Sequence, residues 1–130
     1  MRPERFQNFL VGLAKNDPQA GTAVTLKEAG DSKHPYGLAV NLGGREVRWQ
    51  ITIRSAEGDD FDRPEKPVEG DVVHVDGPWA EGPEGWLARL VAGSGSNEIA
   101  DIEQWSLCEP PKDGLTVKCH SGAWLFVRAL

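Results

Sequence analysis

Residues 36–54 read YGLAVNLGGREVRWQITIR, and this stretch decides the fold class. Apolar residues alternate with small or polar ones on both sides of Gly43-Gly44, which is the period-two pattern of strands that bury one face. A Gly-Gly pair between two such runs is typical of a tight hairpin turn. The stretch therefore predicts two neighbouring antiparallel strands.

A helix and a short strand are predicted before this hairpin. Four large apolar residues recur with the spacing of one helical stripe, and they are Phe6, Phe9, Leu10 and Leu13. Pro3 fits the first helical turn, and Asp17-Pro18 ends the helix. Val24 and Leu26 then alternate with polar neighbours, so the predicted order is a helix followed by three strands.

The C-terminal half predicts the same order of elements. Pro83 opens a second helix, which Gly93-Ser94-Gly95 ends. Residues 99–107 predict a strand, with a helix as the alternative because the alternation is poor. Two further strands are predicted around residues 115–119 and 123–129, on either side of a turn at Ser121-Gly122.

The two halves align at a constant spacing of 77 residues, which places Gly37-Leu38-Ala39-Val40 on Gly114-Leu115-Thr116-Val117 and Trp49 on Phe126. We therefore predict a single α+β domain over residues 1–130, with a largely antiparallel sheet, two helices on one face and a possible internal duplication of a helix-plus-three-strands unit. The repeat-like halves are residues 6–54 and 83–130. They are joined by an acidic segment rich in Pro and Gly at residues 56–82, called the acidic segment below.

Charge is concentrated in the middle of the chain. The formal net charge is −6 at pH 7, but residues 57–84 contain ten acids and two bases, while the remainder contains ten acids and twelve bases. No part is basic enough to predict a nucleic-acid partner. We expect residues 57–70 to form a mobile surface connection, because only Phe61 and Val68 could offset the entropy of ordering them.

The patterns of catalytic and metal-binding sites are absent from the sequence. Cys108 and Cys119 are eleven residues apart, too far for a C-x2-C zinc pair, and neither a G-x-S-x-G elbow nor a phosphate loop occurs. We predict a protein that is not an enzyme and that needs no cofactor or metal. Two cysteines and no apolar run near the ~20 residues of a membrane span predict a cytoplasmic protein without membrane contact.

Five residues are predicted to contribute to a binding surface. Trp79 and Phe61 lie in the acidic segment without periodic apolar partners, and Trp105 is similarly isolated. Arg48 and Arg54 belong to the polar face of their strand, and that face of the strand has no base-stacking aromatic residue.

The function predicted by exclusion is a non-catalytic protein-binding module, either an adaptor or a small acidic chaperone-like accessory protein. A protein partner is expected, and a homodimer through a free sheet edge is a further hypothesis. Two alternatives stay open. One is a small-ligand-binding domain with an aromatic-lined pocket between helices and sheet. The other is a weak nucleic-acid binder that uses the mildly basic sheet face.

Together with the predicted helix from Phe6 to Ala14, the stretches Lys33-His34-Pro35-Tyr36-Gly37-Leu38 and Arg48-Trp49-Gln50-Ile51 resemble a small family of actinobacterial proteins. The resemblance covers mainly the first 55 residues. The resemblance implies a single domain and a bacterial cytoplasmic origin. It does not indicate any activity, because these motifs have no assigned chemistry.

Overall fold

The computed structural model describes all 130 residues and contains two helices and six strands. In the first half, helix α1 spans Pro3–Lys15 and is followed by β1 (Ala20–Thr25), β2 (Gly37–Leu42) and β3 (Arg45–Arg54). In the second half, helix α2 spans Gly82–Ala92 and is followed by β4 (Ile99–Gln104), β5 (Gly114–Cys119) and β6 (Trp124–Ala129). A short 3₁₀ turn at Trp105–Leu107 follows β4.

The strands form one antiparallel sheet in the order β1-β2-β3-β6-β5-β4, so the halves meet where β3 pairs with β6. Both helices pack on one face, because their buried residues join those of the strands in one core of 21 residues. Leu10 of α1 and Leu87 of α2 are fully buried there, against Ile51 and Val127 of the central strands. The predicted α+β class with a largely antiparallel sheet is confirmed.

Two details of the predicted elements differ from the structure. Residues 99–107 divide into strand β4 and the 3₁₀ turn, which explains their poor alternation. Residues 71–75, whose valines suggest a short strand, form none. Val73 nevertheless packs against the core as a partly buried residue.

The two halves share a buried contact between the helix and the middle strand. In the first half, Gln7 Oε1 accepts a hydrogen bond of 3.0 Å from the backbone N–H of Gly37. In the second half, Glu84 Oε1 accepts one of 2.8 Å from the backbone N–H of Gly114. Gln7 and Glu84 are 77 positions apart in the sequence, and so are Gly37 and Gly114. Gln7 and Glu84 are each 7% exposed. The helix-plus-three-strands architecture thus occurs twice, whereas a common ancestry of the halves stays a prediction.

The alignment of Trp49 with Phe126 is wrong, because the constant spacing fails after the second strand of each half. A Cβ atom added to Gly37 would lie 2.3 Å from the backbone oxygen of Trp49, and one added to Gly114 would lie 2.4 Å from that of Val127. Trp49 therefore corresponds to Val127. The turn from β5 to β6 is longer than the Gly-Gly turn of the first half, and a shift of one residue turns every side chain of a strand to the other face.

The acidic segment is attached to α1 through its carboxylates. Arg2 Nη2 donates to Asp59 Oδ1 over 2.9 Å, and the backbone N–H of Arg2 donates to Glu65. The guanidinium of Arg5 also donates to Glu65 and holds Glu98 at the start of β4. Phe61 stays 51% exposed, as expected for a surface connection, but the segment has polar anchors that composition alone does not reveal.

Both edge strands are irregular. The register of β1 against β2 shifts between Ala20 and Ala23, and that of β4 against β5 shifts between Ile99 and Asp101. Each shift is a bulge near the start of the strand, where an extra residue disturbs the ladder of backbone hydrogen bonds.

Candidate binding surface

The side of the sheet that faces away from the helices is called the outer face. Its central residues alternate with the core residues of β3, β6 and β5, and they are Arg48, Gln50, Thr52, Arg54, Trp124, Phe126, Arg128, Thr116 and Lys118. Thr52, Arg54 and Arg128 are exposed. The centre of the outer face is therefore open to solvent, whereas Thr116 is buried beside Trp105.

Trp124 stands between two cations on the outer face. It pairs across the sheet with Arg54 of β3 and with Lys118 of β5. The Arg54 guanidinium carbon lies 4.0 Å from the Trp124 ring centroid and Lys118 Nζ lies 4.4 Å from it. Cation–π attraction stabilises each contact by about 0.5–1 kcal/mol at an exposed site, so the indole has a preferred orientation.

Phe126 lies next to this group, two residues further along β6. Its cross-strand neighbours are Thr52 and Thr116, which are too short to cover an aromatic ring. The half-buried Trp105 lies beyond Thr116 and donates a 2.8 Å hydrogen bond from Nε1 to Thr116 Oγ1. Three aromatic side chains therefore lie across the second half of the outer face.

The positive charges of the outer face are unevenly neutralised. Arg48 pairs with Glu46 at 3.2 Å, and Lys118 pairs with Glu103 at 3.9 Å. Arg54 and Arg128 have no carboxylate within 4.0 Å, whereas four other arginines of the chain do. The unpaired arginines are therefore on the central strands β3 and β6, whereas Glu46 lies at the start of β3 and Glu103 lies on edge strand β4.

The five residues predicted to bind a partner do not form one surface. Arg48 and Arg54 are on the outer face, and Trp105 lies at its margin. Trp79 is half-buried against the opposite, helix-bearing side of the molecule. Phe61 is in the acidic segment, where the Arg2 guanidinium carbon lies 4.5 Å from its ring centroid. Whether any of the five binds a partner stays a prediction.

Sequence reasoning missed Trp124 and Phe126 on the outer face. Trp124 reads as a core or semi-buried residue, and the alignment of Phe126 with Trp49 places Phe126 in the core. The available signal was the pattern of β6 itself, in which Leu125 and Val127 alternate with Trp124, Phe126 and Arg128. Only one of these two sets can face the core, and Arg128 belongs to the set that does not.

Neither cysteine has the lowered pKa of a reactive thiol. Burial raises the pKa of the Cys119 thiol, and desolvation also raises that of Cys108. A nucleophilic cysteine needs the opposite shift, toward the thiolate. No group of three or more His, Cys, Asp or Glu side chains is placed to hold a metal ion.

The chain matches no protein-family model, no curated protein and no solved structure. Neither helix has the length and apolar composition needed to cross a membrane.

Proposed function

We propose that the protein is a non-catalytic binding module that docks a protein partner on the outer face of its sheet. The observation that carries the proposal is the arrangement of Trp124 between Arg54 and Lys118, beside Phe126, on a part of the sheet that neither helix covers. Tryptophan and arginine dominate the energetics of protein interfaces, and they act best where neighbouring contacts hold them in place.

The charges of the outer face indicate the kind of partner surface that fits it. The two arginines without a carboxylate, Arg54 and Arg128, are on the central strands, with Glu46 at the start of β3 and Glu103 on edge strand β4. A partner with an apolar patch and one or two central acids would complement this pattern. A phosphate backbone would not, because it would pass over the flanking acids of a chain whose net charge is −6.

A photo-crosslinking experiment tests the proposal. A benzophenone amino acid replaces the exposed Thr52 on the outer face, and a matched control carries it in place of the exposed Lys15 on α1. Irradiation in a lysate of the source cells should join one defined protein to the Thr52 probe and leave the Lys15 probe unreacted. Arg54→Gln combined with Trp124→Ala should abolish the product, because loss of a hot spot costs at least about 2 kcal/mol, roughly thirtyfold in affinity.

Two outcomes would contradict the proposal. A nuclease-sensitive product at Thr52 would assign the face to nucleic acid. Equal products at both probes, or a product that survives the double substitution, would show that the outer face is not a specific docking surface.

A further inference from the structure

A second candidate site lies on the other side of the molecule, between α2 and the turn from β2 to β3. It is a cleft of about 690 Å³, called the tryptophan cleft below. Trp79 and Trp86 form its aromatic walls, Leu42 and Val47 add apolar surface, and Arg45 and Arg89 complete the charged part of the lining. Small-molecule sites typically measure about 300–1,000 Å³ and combine apolar walls with a few polar groups.

The wall formed by Trp86 is held in place by its neighbours. Trp86 is only 7% exposed, and its Nε1 donates a 2.8 Å hydrogen bond to Asp17 Oδ2. Its ring stacks on Trp49, with 6.3 Å between the ring centroids and 24° between the planes. The indole therefore has one orientation, in which it lines the cleft.

The wall formed by Trp79 is held through its backbone. Gln104, which is 9% exposed, accepts a 2.7 Å hydrogen bond from the N–H of Ala80 and donates one of 2.9 Å to the carbonyl of Pro78. The two hydrogen bonds fix the backbone on both sides of Trp79. Gly85 of α2 lies so close to this segment that an added Cβ would be 1.7 Å from the Ala80 oxygen. The aromatic walls are therefore formed before any ligand arrives.

The charge of the tryptophan cleft is opposite to that of the chain. Arg45 and Arg89 are exposed and have no carboxylate within 4.0 Å, and no acid lines the cleft. The chain as a whole carries a net charge of −6. Two unpaired guanidinium groups beside aromatic walls suit a carboxylate attached to an apolar body, since guanidinium binds carboxylate in a bidentate manner.

The first half of the molecule shows what fills the corresponding position. Gly82 and Gln19 line the tryptophan cleft. Gly82 corresponds to Arg5 by the spacing of 77 residues, and Gln19, just before β1, corresponds by the strand pairing to Glu98, just before β4. Around Arg5 the chain supplies its own carboxylate, because Glu65 of the acidic segment accepts hydrogen bonds from Arg2 and Arg5. No segment of the chain fills the tryptophan cleft in this way.

We propose that the tryptophan cleft binds a small organic anion with a planar apolar body and one carboxylate. The body lies between Trp79 and Trp86, and the carboxylate pairs with Arg45 and Arg89. This site is separate from the outer face, so it stands or falls independently of the protein-docking proposal.

The test is a titration of the full chain with 1-naphthylacetate, followed by ¹H–¹⁵N NMR. The five indole N–H signals are assigned with single Trp→Phe variants. We expect the signals of Trp79 and Trp86 to shift, while those of Trp105 and Trp124 on the outer face stay in place. The neutral analogue 1-naphthaleneethanol should bind at least about tenfold more weakly, because it cannot pair with the arginines.

Charge-removing variants make the test specific. Arg45→Gln combined with Arg89→Gln should weaken 1-naphthylacetate binding by at least about tenfold. The matched control, Lys15→Gln combined with Lys27→Gln, removes two exposed cations that also have no carboxylate within 4.0 Å, and it should leave 1-naphthylacetate binding unchanged. Equal binding of the neutral analogue, equal loss in both double variants, or an absence of shifts at Trp79 and Trp86 would overturn the proposal.

Discussion

In the first half of the molecule, the backbone N–H of Gly37 at the start of β2 donates to the side-chain amide of Gln7. In the second half, the backbone N–H of Gly114 at the start of β5 donates to the carboxylate of Glu84. The amide oxygen meets one backbone donor. The carboxylate meets three donors, which are the backbone N–H groups of Gly114 and Ser106, at 2.8 and 3.1 Å, and the Ser106 hydroxyl. One backbone geometry therefore accepts either a neutral or a charged helix residue, provided that the neighbouring loop supplies the matching number of donors.

The largest expected effect tests a feature that the two halves share, which is the close approach of Gly37 and Gly114 to the backbone of the next strand. Gly37→Ala and Gly114→Ala should each lower the free energy of unfolding by about 3 kcal/mol or more, because the new Cβ meets backbone oxygen within 2.4 Å. Urea denaturation measures the loss. The control is Gly12→Ala in α1, where nothing lies within 4 Å, and it should stabilise the protein by about 0.5–1 kcal/mol. A tolerated alanine at either strand position would refute the shared close approach.

A smaller effect tests the difference between the halves. Glu84→Gln keeps an oxygen for Gly114 but turns an NH₂ group toward Ser106, and it should cost about 1–3 kcal/mol. Gln7→Glu should cost a similar amount at pH 7, because it buries a charge that only the N–H of Gly37 contacts. Thermal unfolding compares both variants with Glu81→Gln at an exposed position, which should be near neutral. If Gln7→Glu left the thermal stability unchanged, the number of hydrogen-bond donors would not decide whether this position holds an amide or a carboxylate.

The helix N-termini differ in their ion pairs, and Arg5→Gln exposes that difference. The Arg5 side chain is 41% exposed, so loss of its pairs with Glu65 and Glu98 should cost about 1 kcal/mol or less. The hydrogen bond from Arg5 holds the pKa of Glu98 below its ordinary value of 4.5. This stabilisation is therefore present above pH 4.5 and is lost as the pH falls through the folded-state pKa.

Acid unfolding curves measure this contribution. The Arg5→Gln variant should lose less stability than the parent protein between neutral pH and the acid range. Arg63→Gln is the control, because Arg63 meets only Asp60 at 3.6 Å and is 83% exposed. If Arg63→Gln changed the acid unfolding curve as much as Arg5→Gln, the ion pairs of Arg5 would contribute no more to stability than an exposed ion pair does.

The smallest effect concerns the loops between the first two strands of each half. In the first half, hydrogen bonds from the His34 ring and from the backbone N–H groups of His34 and Lys33 lower the pKa of Asp31 to about 2. The stabilisation from Asp31 is therefore present above its ordinary pKa of 3.8 and is lost as the pH falls toward 2.

NMR titration of the side-chain carboxyl carbons checks this value. His34→Ala should raise the pKa of Asp31 only part of the way toward 3.8, because the backbone donors remain. The lowered pKa of Asp59, which depends on Arg2, should not move in the same variant. A complete return of Asp31 to its ordinary pKa would show that the backbone contributes nothing.

The sequence predicts those parts of the fold that depend on local periodicity, and it fails where distant residues decide. The stripe of Phe6 and Leu10 and the alternation around Gly43-Gly44 are local, so α1, β2 and β3 were predictable. The face of Phe126 depends on the length of one turn, which periodicity does not reveal. Glu84 counts as one more acid in an acidic stretch, and only its contacts with Ser106 and Gly114 show that it is buried.

The bulges in β1 and β4 have a consequence for concentrated solutions. Fibrils grow when a flat edge strand offers a long, regular row of backbone donors and acceptors to another chain. Here the regular part of β1 against β2 is only the run from Ala23 to Thr25, and β4 adds Asp101 and Glu103 beyond its bulge. Neither edge is a good template for added strands, so we expect the folded protein to resist fibril formation on prolonged storage.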